Sequence, residues 1–184
     1  YESLVKKYDD LQFIYLPNWK NNSPLSSFVN AVNGSKTSTL VTYGDTVFQT
    51  KALRRISESS GDVVIAVDTK WRERFFDRST LDQELAESFS VPSLGKVEYT
   101  GLIKFSEKSM SWLAANKNKL HDKSSISTLL LALKNTDLEV VFVDIHGEWA
   151  ELNEPNDLVQ FVLGNKAETL QRIGERITKS SVCD

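Results

Sequence analysis

The chain has 184 residues, of which 40% are hydrophobic and 26% charged, and a formal net charge of −3. This balance excludes a low-complexity or disordered chain, and the acidic charge excludes the broad basic surface of a nucleic-acid binder. One cysteine, Cys183, and two histidines, His121 and His146, exclude a disulfide framework and a metal site built from those residues alone.

No apolar run approaches the roughly 20 residues of a membrane span, and no signal peptide opens the chain. A cytoplasmic protein without membrane or nucleic-acid partners is therefore expected. The first residue is Tyr1, inside a helical pattern of Leu4, Val5 and Tyr8, which reads as a fragment boundary.

Residues 11–16 form a short apolar run stopped by Pro17, the pattern of a buried strand. A polar loop follows, and Ser26 and Ser27 are placed to cap a helix over residues 28–32, ended by Asn33 and Gly34. Residues 39–42 form a second strand, followed at once by Tyr43-Gly44-Asp45 and then by a helix over residues 51–58. The β-branched run 62–67 is a third strand. This alternation predicts an α/β fold, a parallel sheet with helices on both faces and strands buried on both sides.

Residues 70–91 are charged and aromatic, with Trp71, Arg72, Arg74, Phe75, Phe76 and Arg78. Residues 97–105 read as a strand containing Gly101, where a glycine marks a close approach. Helices are expected over 106–116 and 124–134, and a strand over 139–144. His146 to Trp149 form a turn into residues 150–152, and Glu154-Pro155 open a helix through Phe161. A final helix over 166–177 precedes a serine-rich end, giving a main domain over 1–163 and a helix and tail over 164–184.

Asp45 is the first candidate for chemistry. It follows a glycine just past a strand, where open α/β sheets bind their ligands, and a carboxylate there can hold Mg²⁺ against substrate phosphates. It could equally cap the next helix. The segment 149–158 sets polar groups at a helix head, a natural phosphate neighbourhood. Asn153 as a plain N-cap, with Glu154 and Asp157 near the dipole, is the simpler reading. The arginines of 71–78 could clamp an anion or form a solvated loop. His146 fits an acid–base group or, more simply, a turn residue, and His121 reads as surface.

The order of short motifs carries more than any one of them. Tyr15-Leu16-Pro17-Asn18 with Ser26 comes first, and then Leu40-Val41-Thr42-Tyr43-Gly44-Asp45-Thr46-Val47-Phe48. Ala66-Val67-Asp68 with Trp71 and Arg72 follows, then Tyr99-Thr100-Gly101-Leu102 and Trp149-Ala150-Glu151-Leu152-Asn153-Glu154-Pro155. This series resembles the sugar-phosphate, phosphocholine and aminoethylphosphonate nucleotidyltransferases, over roughly Tyr8 to Phe161.

The resemblance implies a Rossmann-like fold with a mixed, mostly parallel central sheet. It implies a pyrophosphorylase-like reaction, transfer of a nucleotidyl group from an NTP (CTP favoured) to a small phosphate or phosphonate with release of pyrophosphate. Mg²⁺ is the implied cofactor, with Asp45 the catalytic metal ligand and Asn153 standing where the family has an aspartate. Asn22, Ser26 and Gly44 would lie at the nucleotide, and Arg72, Tyr99, Gly101 and Glu151 at the acceptor. The family's first strand and glycine-rich loop would precede Tyr1.

Two rivals stand beside this reading. A non-catalytic module of the same fold, binding a ligand or further domains of a larger protein, is favoured by Asn153 and by the expected missing loop. A glycosyltransferase would need an Asp-x-Asp pair, where Gly44-Asp45-Thr46 offers one carboxylate. Residues 161–173 are similar to the opening of the ATP-binding domain of pyruvate phosphate dikinase-like enzymes, though an ordinary terminal helix accounts for them more simply.

Overall fold

The computed structural model describes residues 12–16, 20, 23–32, 37–75, 86–120, 125–153, 157–159 and 161–163. In chain order the elements are helix α1 (Pro24–Val32), strands β1 (Thr39–Thr42) and β2 (Thr46–Phe48), helix α2 (Thr50–Glu58) and strand β3 (Val63–Asp68). A short 3-10 turn (Trp71–Phe75) leads to β4 (Ser88–Val91) and the long β5 (Gly95–Phe105). Helices α3 (Glu107–Ala115) and α4 (Ile126–Leu133) and strands β6 (Val140–Asp144) and β7 (Trp149–Glu151) complete the described elements.

The main sheet runs β1-β5-β3-β6, with β4 on β5. β1 and β4 lie end to end along one edge of β5, β1 against Leu102 to Phe105 and β4 against Gly95 to Glu98. β3 takes the other edge, with an irregularity between Ile65 and Val67. A separate antiparallel ribbon joins β2 to β7.

β3 is buried along its whole length because it is central, with β5 on one side and β6 on the other. Its side chains alternate between faces, as the two-residue strand period requires. Val63, Ile65 and Val67 enter a core with Phe105, Leu113 and Leu129, whereas Val64 and Ala66 enter another with Ala52, Ile56 and Trp149. Ala52 and Ile56 stand one turn apart on α2, so both face the sheet. Ser106 caps α3 and Ser125 caps α4, each accepting a backbone N–H three residues on.

Asp62 ties three of these elements together. Its carboxylate accepts from Glu139 N at 3.0 Å, Ser106 Oγ at 3.0 Å and Lys108 Nζ at 3.3 Å. The Glu139 N–H is the main reason its pKa lies below the ordinary value; desolvation opposes the shift, and Ser106 and Lys108 add to it. A depressed folded-state pKa stabilises above the unfolded value and loses that contribution as pH falls through the folded one. Asp62→Ala is therefore expected to cost about 1–3 kcal/mol at neutral pH. Urea melts should show that difference shrinking as pH falls through the carboxylate range; a gap independent of pH would sink the account.

The mixed α/β class agrees with the expectation, but several details differ. Among the described strand pairs of the main sheet only β3–β6 is parallel, so the balance is antiparallel rather than mostly parallel. Residues 12–16 are not a buried strand: they join no ladder, and Phe13, Ile14 and Tyr15 are 46%, 52% and 84% exposed. An apolar run becomes a strand only where a partner edge meets it, and the described strands form no ladder with these residues.

Helix α1 begins at Pro24, so Ser26 lies inside it and Ser23 Oγ accepts from Ser26 N at 3.1 Å. Asp45 is followed by β2, not by a helix, and so is no helix cap. Strands β2, β4 and β7 are additions to the sequence reading. His121, residues 17–19, 154–156 and the expected helix over 166–177 lie outside the described residues.

Candidate functional site

β1 delivers Tyr43 to the gap between β1 and β4. Tyr43 N donates to Gly101 O at 3.0 Å, extending the β1–β5 ladder by one step. The chain then turns at Gly44 and Asp45, and Thr46 Oγ1 donates to Tyr43 O at 3.0 Å to close the turn. β2 returns along β7 with Thr46 opposite Glu151, and Leu152 N donates to Asp45 O at 2.7 Å. The ribbon thus sets Asp45 against the end of β7, with Glu151 beside it and Asn153 one residue further on.

This turn stands at a cavity of about 700 Å³ bounded by α1, α4, β1 and β5. Tyr43, Gly44, Asp45, Glu87, Tyr99 and Glu151 contribute its polar lining. The Tyr43 hydroxyl donates to Glu87 Oε2 at 2.9 Å, and the Tyr43 and Tyr99 rings meet edge to face at 5.6 Å and 87°. Behind Tyr43, Gly101 has φ +77° and a Cβ there would lie 2.9 Å from Tyr43 Cδ2. The close approach expected of this glycine is therefore to the ring that walls the cavity.

Among the described residues, the lining of the mouth holds three carboxylates and no Lys, Arg or His. Burial raises the Tyr43 pKa well above the phenol range, with Glu87 next, then Glu151 and Asp45. Burial likewise raises that of Tyr99, followed by Tyr43 and Glu87. Both rings therefore remain protonated donors at neutral pH. Burial also raises the Glu87 carboxyl; the Tyr43 hydrogen bond opposes this, and the Glu151 charge adds to it. Tyr43→Phe removes the opposing bond and is expected to raise the Glu87 pKa further, as carboxyl-carbon NMR titration would read directly. An unchanged or lower value would contradict the assigned bond.

The structure brings together four of the residues singled out in the sequence: Gly44, Asp45, Tyr99 and Glu151 all line the cavity. Gly101 supports it from behind. Asn153 is exposed beyond β7, its N–H donating to Asp157 Oδ2 at 3.0 Å. Ser26 is on α1 but only 1% exposed and does not border the cavity, although Leu25 and Ser27 do. Arg72 lies elsewhere, its guanidinium carbon 4.5 Å from the Trp71 ring centroid. Asn22 is outside the described residues.

His146 occupies a left-handed turn position at φ 49°, with Nδ1 3.2 Å from Asp144 Oδ2, away from the cavity lining. Tyr43 and Glu87 were not singled out as site residues in the sequence. Tyr43 at least adjoins the Gly44-Asp45 signal, whereas Glu87 sits in a charged stretch with no local mark.

Among the described residues, no three or more His, Cys, Asp or Glu side chains are grouped to hold a metal ion. None of the described helices is long and apolar enough to cross a membrane.

No protein-family model matches the chain, and no curated protein matches its sequence. Among solved structures, the inositol-1-phosphate CTP transferase from T. maritima is similar, with a TM-score of 0.58 and 17% identity. The match covers 85% of this chain and 66% of that one, just under two thirds of its length. At that identity the likeness shows the fold: a mixed α/β architecture of the Rossmann-like kind, shared with a nucleotidyltransferase.

Proposed function

We propose that the chain carries out nucleotidyl transfer from a nucleoside triphosphate, with CTP favoured, to a small phosphate or phosphonate acceptor. The observation that carries this reading is the β2–β7 ladder, which holds Asp45 against the end of β7 at the mouth of a ligand-sized cavity. The shared fold supports it. In this reaction an acceptor oxygen forms a bond to the α-phosphorus, the α–β phosphoanhydride bond breaks and pyrophosphate leaves. Such chemistry asks mainly for positioning and for charge to be offset.

Tyr99 and Glu151 would orient the acceptor from the cavity wall, while Gly44, which has nothing within 4 Å of its Cβ direction, leaves room for nucleotide backbone contact. Arg72 would serve a phosphate only if the substrate reaches beyond the cavity lining. The donors near the ladder end, the Asp45 carboxylate and the Asn153 amide oxygen, are hard oxygen ligands suited to Mg²⁺, which keeps waters and substrate phosphates in its remaining positions. When bound, that ion would offset phosphate charge beside a mouth whose described lining carries three carboxylates.

A second reading, a ligand-binding module without catalysis, is favoured by two features. Asn153 lacks a carboxylate's charge, and the described residues of the cavity lining include no cation. One assay separates the two: pyrophosphate release with Mg²⁺, each of the four NTPs in turn, and a panel of phosphorylated acceptors. Release with one NTP and one acceptor supports transfer; silence across the panel leaves the binding module.

A further inference from the structure

Asp45 stands on a turn that joins two sheets. Tyr43 ends the ladder with β5 and Thr46 opens β2, so Gly44 and Asp45 carry the chain from one sheet to the other. Gly44 has no side chain with which to brace the turn, and a Cβ added to it would meet nothing within 4 Å. The conformational freedom of a glycine leaves the direction of the next residue to be fixed by its surroundings.

Two hydroxyls supply that constraint. Thr46 Oγ1 donates to Tyr43 O at 3.0 Å, which links the first and last residues of the turn. This is the span that a backbone bond closes in a hydrogen-bonded β-turn. Thr42 Oγ1 lies 2.9 Å from Thr46 Oγ1 and 3.1 Å from Tyr43 O. A hydroxyl has one proton to give. With the Thr46 proton on Tyr43 O, Thr42 is the donor of the pair, to Thr46 Oγ1 or to the same carbonyl. On the far side Leu152 N donates to Asp45 O at 2.7 Å. Asp45 is thus held before and after its side chain, and its carboxylate reaches the cavity from a fixed backbone. The strand does not ask for these hydroxyls, since valine suits a β position as well as threonine does.

We infer that Thr46, backed by Thr42, is a positioning residue for Asp45, its hydroxyl setting the direction in which the carboxylate meets a divalent cation. The inference rests on the reading of Asp45 as an oxygen ligand for Mg²⁺. A ligand that is free to turn must be ordered as the ion binds, and loss of the groups that orient a ligand weakens metal binding by about tenfold or more.

The test titrates the isotopically labelled chain with Mn²⁺ alone, without nucleotide, and reads paramagnetic broadening of the backbone amide signals. In the wild type the Gly44, Asp45 and Thr46 signals are expected to broaden first, and Asp45→Ala to abolish this. Thr46→Val keeps the branched shape and drops the hydroxyl; it should raise the Mn²⁺ dissociation constant roughly tenfold. Thr46→Ser restores the hydroxyl and should return the affinity close to that of the wild type. Thr42→Val, at an exposed position where folding is undisturbed, should weaken binding several-fold. Wild-type affinity in either valine variant, or no recovery in Thr46→Ser, would overturn the inference while leaving Asp45 a ligand. No broadening around Asp45 in the wild type would remove the ligand reading and the inference with it.

Discussion

Asp45→Ala is expected to lower pyrophosphate release by on the order of 100-fold or more while leaving the fold intact. The two halves of that expectation rest on different atoms. The backbone carbonyl of Asp45 belongs to the ribbon, accepting from Leu152 N, and alanine keeps it. The carboxylate is exposed at the cavity mouth, so its loss removes charge and an oxygen ligand without opening the core. Thermal melting should therefore move little, since surface changes away from such features cost roughly 0.5 kcal/mol or less. Retention of activity within a few-fold in a folded variant would place the chemistry elsewhere; loss of activity together with loss of folding would fault the structural half.

The largest effect on stability is expected at Gly101. Its φ of +77° is a conformation that side chains rarely adopt, and an added Cβ would come within 2.9 Å of Tyr43 Cδ2. Backbone strain costs of order 1–2 kcal/mol, and forced repacking of a ring adds roughly 1–3. Gly101→Ala should thus destabilise by about 2–5 kcal/mol in urea melts. Gly95 provides the control. Its φ is +78°, yet an added Cβ there meets nothing within 4 Å. Gly95→Ala carries the strain without the collision and should cost no more than about 2 kcal/mol. Equal costs at the two sites would show that the Tyr43 contact contributes nothing. Because Gly101→Ala also displaces Tyr43 from Glu87, its effect should extend to the Glu87 titration.

What could be read from the sequence follows where each element takes its stability. β3 was legible because a β-branched run that is buried on both faces needs no context to be recognised. Helices α3 and α4 were expected over 106–116 and 124–134, and the structure closes their starts with Ser106 and Ser125, whose hydroxyls accept a backbone N–H three residues on. Residues 12–16 misled because apolarity alone does not supply a pairing edge. Strands β2 and β7 span three residues each and exist through one another, so no local window contains the reason for either.

The site shows the same division. Asp45 could be found from its glycine and its place after a strand. The Tyr43–Glu87 bond joins positions 44 residues apart, and nothing near Glu87 announces it. Ser26 and Arg72 were chosen by motif order, which does not tell whether a side chain turns toward a cavity.

The β2–β7 ribbon also sets a timetable. Thr46 finds its partner only when Glu151 has been made, and most of the described chain lies between them. Closing so long a loop is slow relative to forming local helices, so contacts of this kind are made late in folding. During synthesis the core strands β3 and β5 can pair before β7 leaves the ribosome, whereas the Asp45 turn has nothing to close against. The mouth of the cavity is therefore among the last parts of the molecule to be built, and no shorter nascent chain can present it.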